Sequence, residues 1–211
     1  MSEAKLMELA TTIFETLNLV PLDRRVGQVL RHSNRFPILD ERSVVTAALT
    51  PEGIRNAEAY GRFLSQKFRI GRLMSSPIGR CIDTAAAIAS GACIERDVIV
   101  AQILSHPYHE EAWNLKDELA QACLPEKTVS LVQLLLDAEA KAGMMDLFVT
   151  HDTVVGVLVQ YLLGEAIGDE NLPNFLEGIF FWHEGEGVRA AWRGKIYEVR
   201  LDRDVCGGSG G

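Results

Sequence analysis

The side chains best suited to chemistry stand close together in Arg31-His32-Ser33-Asn34-Arg35, directly after an apolar run from Val26 to Leu30. The run has the length and composition of a buried strand. A strand end that delivers two guanidiniums and an imidazole to one place suits an anion. Guanidiniums hold oxyanions through paired, directional hydrogen bonds, and a neutral imidazole nitrogen beside them is a nucleophile. On a phosphoryl group, His32 would attack phosphorus while Arg31 and Arg35 carry the charge spread over the equatorial oxygens.

Two other apolar runs end the same way. Ile70 to Ser75 leads through Ser76-Pro77 to Arg80, and Asp146 to Thr150 ends in His151-Asp152. Ligands of an open α/β sheet bind outside the carboxyl ends of its strands, so the three clusters are expected to meet at one edge. There Arg80 adds a phosphate ligand, and His151 donates to the same oxygens when protonated. Asp152 can give a proton to the leaving oxygen and then activate water. The helix expected after Asp152 turns its positive end toward the bound anion.

The elements that must position these residues can be read from period and punctuation. Residues 1–20 suggest an amphipathic helix closed by Pro21, and 32–49 a loop lying over the first strand end. Thr50-Pro51-Glu52-Gly53 carries a cap, a proline and an acid in the places a helix start favours, and that helix runs to about residue 68. Ser76-Pro77 repeats the signal for a helix to about Ser90, with Gly91 as a left-handed cap. Asp97–Leu104 reads as a third strand, His106–Gln121 as a loop with a short helix, and Lys127–Gly143 as a helix. The Val-rich stretch from Thr153 to Leu163 is apolar nearly all round, which predicts a buried helix. Gly178–His183 and Val188–Arg193 flank Glu184-Gly185-Glu186-Gly187, a hairpin signal, with Trp182 and Trp192 as a cross-strand pair. Lys195–Leu201 adds a further strand. Strands alternating with helices predict a three-layer α/β/α sandwich. Its sheet is mostly parallel, with an antiparallel edge and a C-terminal hairpin.

Taken with their spacing, these residues resemble the histidine phosphatase superfamily. Its Arg-His-Gly-x-Arg motif is similar to Arg31-His32-Ser33-Asn34-Arg35, and the x-Pro extension of its acid-phosphatase branch to Phe36-Pro37. Leu49-Thr50-Pro51-Glu52-Gly53 looks like the family's Leu-Thr-x-x-Gly. The stretch Ser75 to Ala85 looks like its Ser-x-x-x-Arg-x-x-x-Thr-Ala block, and His151-Asp152 like its late His-Asp pair. The resemblance implies a phosphoglycerate mutase-like fold. It also implies His32 as nucleophile, Arg31, Arg35, Arg80 and His151 as phosphate ligands, and Asp152 as proton donor. In the phosphoglycerate mutase-like branch, whose size this chain fits better, the acid is a Glu ahead of the second histidine; Glu110 or Glu111 is then the alternative. Ser33 departs from the family glycine, either narrowing the approach to phosphate or supplying a hydroxyl as a further ligand.

Length and composition set bounds on the rest. With 211 residues, 47% hydrophobic and 24% charged, the chain suits one well-buried domain over 1–205, with 206–211 a flexible tail or expression remnant. A net charge of −8 disfavours nucleic acid and anionic membrane as partners. The four cysteines lack metal spacing and suit free thiols in a reducing compartment. With no signal-peptide pattern, a cytoplasmic location is expected. His106, His109, Glu110 and Glu111 do not have the His-Glu-x-x-His spacing, so no metal or other cofactor is expected. Arg24 and Arg25 read as solvated surface.

The function these features favour is hydrolysis of a phosphomonoester through a phosphohistidine. The partner is a small phosphorylated substrate or a phosphoprotein, and the protein a monomer or dimer. The alternatives are a phosphomutase that returns the phosphoryl group to an acceptor and a catalytically idle phospholigand-binding scaffold.

Overall fold

In a computed structural model that describes residues 12–105, 131–133, 141–168 and 170–199, the apolar runs form one seven-stranded sheet. Its strands are β1 (Val26–Arg31), β2 (Arg69–Ser75), β3 (Ile99–Val100), β4 (Met144–Thr150), β5 (Gly178–Glu184), β6 (Gly187–Trp192) and β7 (Lys195–Val199), in the order β3-β2-β4-β1-β5-β6-β7. The first four are mutually parallel, and β5 to β7 are antiparallel. Among the described residues, 12–18 and 131–133 are helical, and the helices described along their length are α1 (Glu41–Thr46), α2 (Pro51–Ser65), α3 (Gly79–Gly91) and α4 (Asp152–Leu158), the last continuing as a π-helical turn, Val159–Leu163.

Strand alternation divides the core between two faces. Leu30, Leu147, Val149 and Phe180 face one cluster with Leu17, Leu64, Ala85 and Ile88. Val29, Phe148, Ile179 and Phe181 face the other with Leu131, Val155 and Leu158. Helices therefore cover both faces, as the alternation of strands and helices predicts. On the first face α2 and α3 pack backbone to backbone. A Cβ at Gly61 would lie 2.1 Å from the Ile88 carbonyl oxygen, and one at Gly91 1.9 Å from that of Glu58.

Several local expectations are corrected. Residues 41–46 form a helix where a loop is expected, because Asp40 and Ser43 close a capping box: Ser43 N–H donates to Asp40 Oδ1 at 2.8 Å and Asp40 N–H to Ser43 Oγ at 2.9 Å. Ser76 does not cap α3, which begins at Gly79 after Ile78, because its hydroxyl is drawn to His151. Gly91 lies inside α3, kept small by Glu58 rather than by a left-handed turn, and Cys93 has the positive φ of 54°. The third strand shrinks to two residues and gives way to a 3-10 turn, Gln102–Leu104. Trp182 pairs with Arg189 and joins the first core cluster, whereas Trp192 joins the second, so the two tryptophans lie on opposite faces. Thr50 does cap α2, its Oγ1 accepting from Gly53 N–H at 3.0 Å, with Pro51 in the first turn.

Arg25 is not solvated. It joins Arg72 around Asp146, which is 0% exposed in β4. Arg25 donates Nε to Oδ2 at 2.9 Å and Nη2 to Oδ1 at 2.8 Å, and Arg72 adds its backbone N–H at 2.6 Å and its Nε at 2.9 Å. The sheet makes room for this carboxylate. Ile70 pairs with Met145 and Leu73 with Leu147, so two residues of β2 oppose Asp146 in a bulge. A Cβ at Gly71 would lie 2.2 Å from Asp146 Oδ1.

Among the described residues no helix is long and apolar enough to cross a membrane. The expected helices at residues 106–121 and 127–143 fall largely outside the described residues, as do His106, His109, Glu110, Glu111 and the tail.

Candidate active site

The carboxyl ends of β1, β2 and β4 bring His32, Arg80 and His151 into contact, from positions 48 and 71 residues apart in the chain. Arg80 is the hub. Its Nε donates to His32 Nε2 at 3.0 Å, its Nη2 to His151 Nδ1 at 3.2 Å, and its Nη1 to the Val44 carbonyl of α1. The two imidazoles stand edge to face with centroids 5.6 Å apart. His32 and His151 are 2% and 4% exposed, so the cluster is interior chemistry.

The hydrogen bonds assign the histidine tautomers. His32 Nδ1 lies 2.8 Å from the Ser33 carbonyl, which can only accept, so Nδ1 carries the proton and Nε2 presents its lone pair. Burial pushes the His32 pKa down to about 2; Arg80, His151 and Arg31 press the same way against the opposing Ser33 hydrogen bond. The imidazole is thus neutral at physiological pH, the state a nucleophile requires. At His151, Nδ1 accepts from Arg80, so the proton of the neutral ring sits on Nε2, 3.0 Å from Ser76 Oγ.

The loop after β1 is locked by its neighbours. Ser33 N–H donates to Thr84 Oγ1 at 3.0 Å, and Thr84 Oγ1 donates to the Arg80 carbonyl at 2.7 Å. The threonine of the Arg-x-x-x-Thr block therefore ties α3 to the His32 loop. Ser33 Oγ donates to the Gly53 carbonyl at 2.7 Å and is fully buried. Its proton braces the loop against α2 and is not directed at the anion position. The Asn34 carbonyl accepts from Thr50 N–H at 3.0 Å. A Cβ at Gly53 would stand 2.0 Å from that oxygen, so only glycine lets α2 close on the loop.

Arg31 and Arg35 complete the cationic wall. Arg31 Nη2 lies 2.7 Å from Asp152 Oδ2, and Arg35 Nη1 donates to the Phe36 carbonyl at 3.0 Å. Asp152 Oδ1 accepts from Thr153 N–H at 2.9 Å at the start of α4. Burial works against the charge on Arg31, Arg35 and Arg80. The buried Nε of Arg31 and of Arg35 has no hydrogen-bond partner among the described residues. Buried donors left unmatched are costly, and an oxyanion would satisfy both. Burial raises the Cys81 thiol to about 12, so this cysteine, 3.6 Å from His151 Nε2, is a packing neighbour and not a second nucleophile.

Of the sequence-selected residues, Arg31, His32, Arg35, Arg80, His151 and Asp152 gather at this edge, whereas the Ser33 hydroxyl is turned to the Gly53 carbonyl. The acid alternatives Glu110 and Glu111 lie outside the described residues. Sequence inspection missed Phe175, whose ring is 5.7 Å from His32 and 4.3 Å from the Arg31 guanidinium, and Pro173, whose carbonyl accepts from Arg31. Nothing in the irregular stretch around them signals a site. Ser76 was available as part of the Ser-x-x-x-Arg spacing, but its cap-like context with Pro77 disguised it.

A parallel-centred α/β/α sandwich with an antiparallel edge and a histidine–arginine cluster at its carboxyl edge is a phosphoglycerate mutase-like fold. Residues 40–102 match the model of the histidine phosphatase superfamily (branch 1), a span that includes Arg80 but neither His32 nor His151. The sequence resemblance to that superfamily is thus met by a family model over part of the chain. No curated protein matches the chain by sequence. Among solved structures, the mycobacterial glucosyl-3-phosphoglycerate phosphatase superposes with a TM-score of 0.56 at 17% identity, covering 82% of this chain and 100% of its own. Bacillus stearothermophilus YhfR gives 0.57 at 16%, covering 81% and 97%. The protein histidine phosphatase SixA, solved with tungstate, gives 0.51 at 18%, covering 83% and 97%.

Proposed function

We propose that the protein is a phosphatase of the histidine phosphatase superfamily that hydrolyses a phosphomonoester through a phosphohistidine on His32. The observation that carries this is the buried contact of Arg80 with both His32 Nε2 and His151 Nδ1. A neutral imidazole lone pair and a guanidinium meet there, beside two more arginines with unmatched N–H groups, which supports this reading. An arriving phosphate takes over the N–H groups of Arg80, which frees the His32 lone pair. Nε2 then forms the N–P bond as the P–O ester bond breaks, with Arg31, Arg35, Arg80 and protonated His151 on the equatorial oxygens.

Asp152, a carboxylate while paired with Arg31, takes up a proton as that pair opens on substrate binding and gives it to the leaving oxygen; Glu110 or Glu111 is the alternative donor. The same carboxyl then takes a proton from water, whose oxygen attacks phosphorus and restores neutral His32. Phosphate must also draw Arg31 away from Asp152, since both compete for Nη2. The Asp152 side chain is 24% exposed, so water reaches the acid, which favours hydrolysis over transfer to a held acceptor.

Phosphate release from an aryl phosphomonoester, with a denaturing alkaline quench to trap an acid-labile, alkali-stable phosphoryl group, tests the proposal. Phosphate release with a trapped phosphohistidine is the expected result. Transfer of the phosphoryl group to an added hydroxyl acceptor without release indicates a mutase, and phosphate binding without turnover a scaffold.

A further inference from the structure

Arg31 is held by the irregular stretch that leads into β5, residues 172–177. The backbones interlock: Arg31 N–H donates to the Glu177 carbonyl at 2.9 Å, and the Arg31 carbonyl accepts from Leu176 N–H at 3.1 Å. The guanidinium donates Nη1 to the Pro173 carbonyl at 2.7 Å and lies over the Phe175 ring at 4.3 Å, an attractive cation–π geometry. One loop thus grips both ends of the arginine and leaves Nη2 pointing at Asp152.

The loop owes its shape to Glu177, whose side chain is 5% exposed. Glu177 Oε2 accepts from Asn174 N–H at 2.7 Å and from Asn174 Nδ2 at 3.2 Å, closing the turn that Glu177 N–H makes to the Asn174 carbonyl. Arg193 then seals the carboxylate, donating Nε to Oε1 at 2.7 Å and Nη2 to Oε2 at 3.0 Å. Within the turn Leu176 has φ of 62°, a conformation leucine keeps only when its surroundings impose it. Arg193 itself sits at φ 43° before Gly194 at 73°, in the tight turn between β6 and β7. The last hairpin is therefore tied through one ion pair to the end of β1. A buried ion pair adds little stability over apolar packing, so stability alone does not account for one here; the shape it imposes on the Arg31 loop does.

We propose that Glu177 is a positioning residue: paired with Arg193, it holds residues 172–177 in the shape that aims Arg31 at the bound anion. The inference rests on the phosphatase assignment only in taking phosphate as that anion.

The test is a double-variant cycle on the full chain, with inorganic phosphate as the probe and calorimetric affinity as the readout. Glu177→Gln keeps size and removes charge; it should weaken phosphate binding about tenfold, as misplacement of a ligand-holding group does. Arg31→Gln should weaken binding too, and adding Glu177→Gln to it should cause no further loss. Arg193→Lys, which keeps charge but loses the paired geometry, should show the same non-additivity and substitutes if Glu177→Gln fails to fold. Unchanged affinity in these variants overturns the proposal, as does a loss repeated in full in the Arg31→Gln background. A purely architectural role would lower the melting temperature in both backgrounds without that coupling. Because affinity is read without turnover, failure to hydrolyse any phosphomonoester overturns the phosphatase assignment and leaves the coupling to decide the brace.

Discussion

Asp146 and Asp152 belong to one strand–helix unit, and each meets arginine, yet the two ends do different work. At Asp146 the guanidiniums of Arg25 and Arg72 are directed at the carboxylate, and both of its oxygens are filled. About 13 Å further along β4, by strand rise, three arginines stand by one carboxylate, and of these Arg31 pairs with it. Arg80 spends its N–H groups on two imidazole nitrogens and a carbonyl, all neutral acceptors, while Arg31 and Arg35 keep unmatched buried donors. Charge saturated by charge is architecture; cations propped on neutral acceptors await an anion. The same residue types thus separate, by what their N–H groups meet, into a clamp and a site.

Breaking the site should cost activity and spare the fold. His32→Ala should lower turnover by at least roughly three orders of magnitude, as loss of a nucleophile does, with an unchanged circular dichroism spectrum; phosphate release checks it. Breaking the clamp should do the opposite. Asp146→Asn leaves two arginines facing a neutral amide and should cost about 3–5 kcal/mol of stability, measured by urea denaturation, while kcat per folded molecule holds.

Arg80→Leu sharpens the contrast within the site. It removes a buried cation but leaves His32 Nε2, His151 Nδ1 and the Val44 carbonyl without their donor, so stability should fall by about 1–3 kcal/mol, while phosphate affinity falls by about 10–100-fold through loss of charge-assisted bonds. Calorimetry and thermal melts read the two quantities separately.

The smallest effect is a pH slope. His32 titrates near 6.5 in the unfolded chain and is pushed to about 2 in the fold. Above pH 6.5 both states are neutral and this residue makes no slope. Below it the unfolded chain gains a proton that the fold refuses, so stability is lost as pH falls toward the folded value, at up to about 1.4 kcal/mol per unit. His32→Asn should flatten that part of the urea-midpoint profile between pH 4 and 6.5.

What could be read in the chain follows the range of the forces involved. Val26–Arg31, Met144–Thr150 and the Thr50-Pro51 helix start were legible because apolar runs and caps act over a few residues. Misreadings arose where a distant partner outbid a local signal. Ser76 looks like a helix cap until His151, 75 residues away, takes its hydroxyl. Arg25 looks like surface until Asp146, 121 residues away, takes its guanidinium. The two tryptophans look like a cross-strand pair until the hairpin register places them on opposite faces.

By itself the sequence determined which side chains stand at the strand ends, since a run of apolar residues stops where its polar neighbours begin. It also determined that those ends share one edge, because parallel strands joined by helices point the same way. Only the tertiary structure decided how the groups at that edge are wired. It put Arg80 between two histidines, pinned the Ser33 hydroxyl on Gly53, and brought Phe175 and the Glu177–Arg193 pair up behind Arg31. Such contacts depend on packing between elements far apart in the chain, and no local pattern encodes the distance at which two side chains will meet.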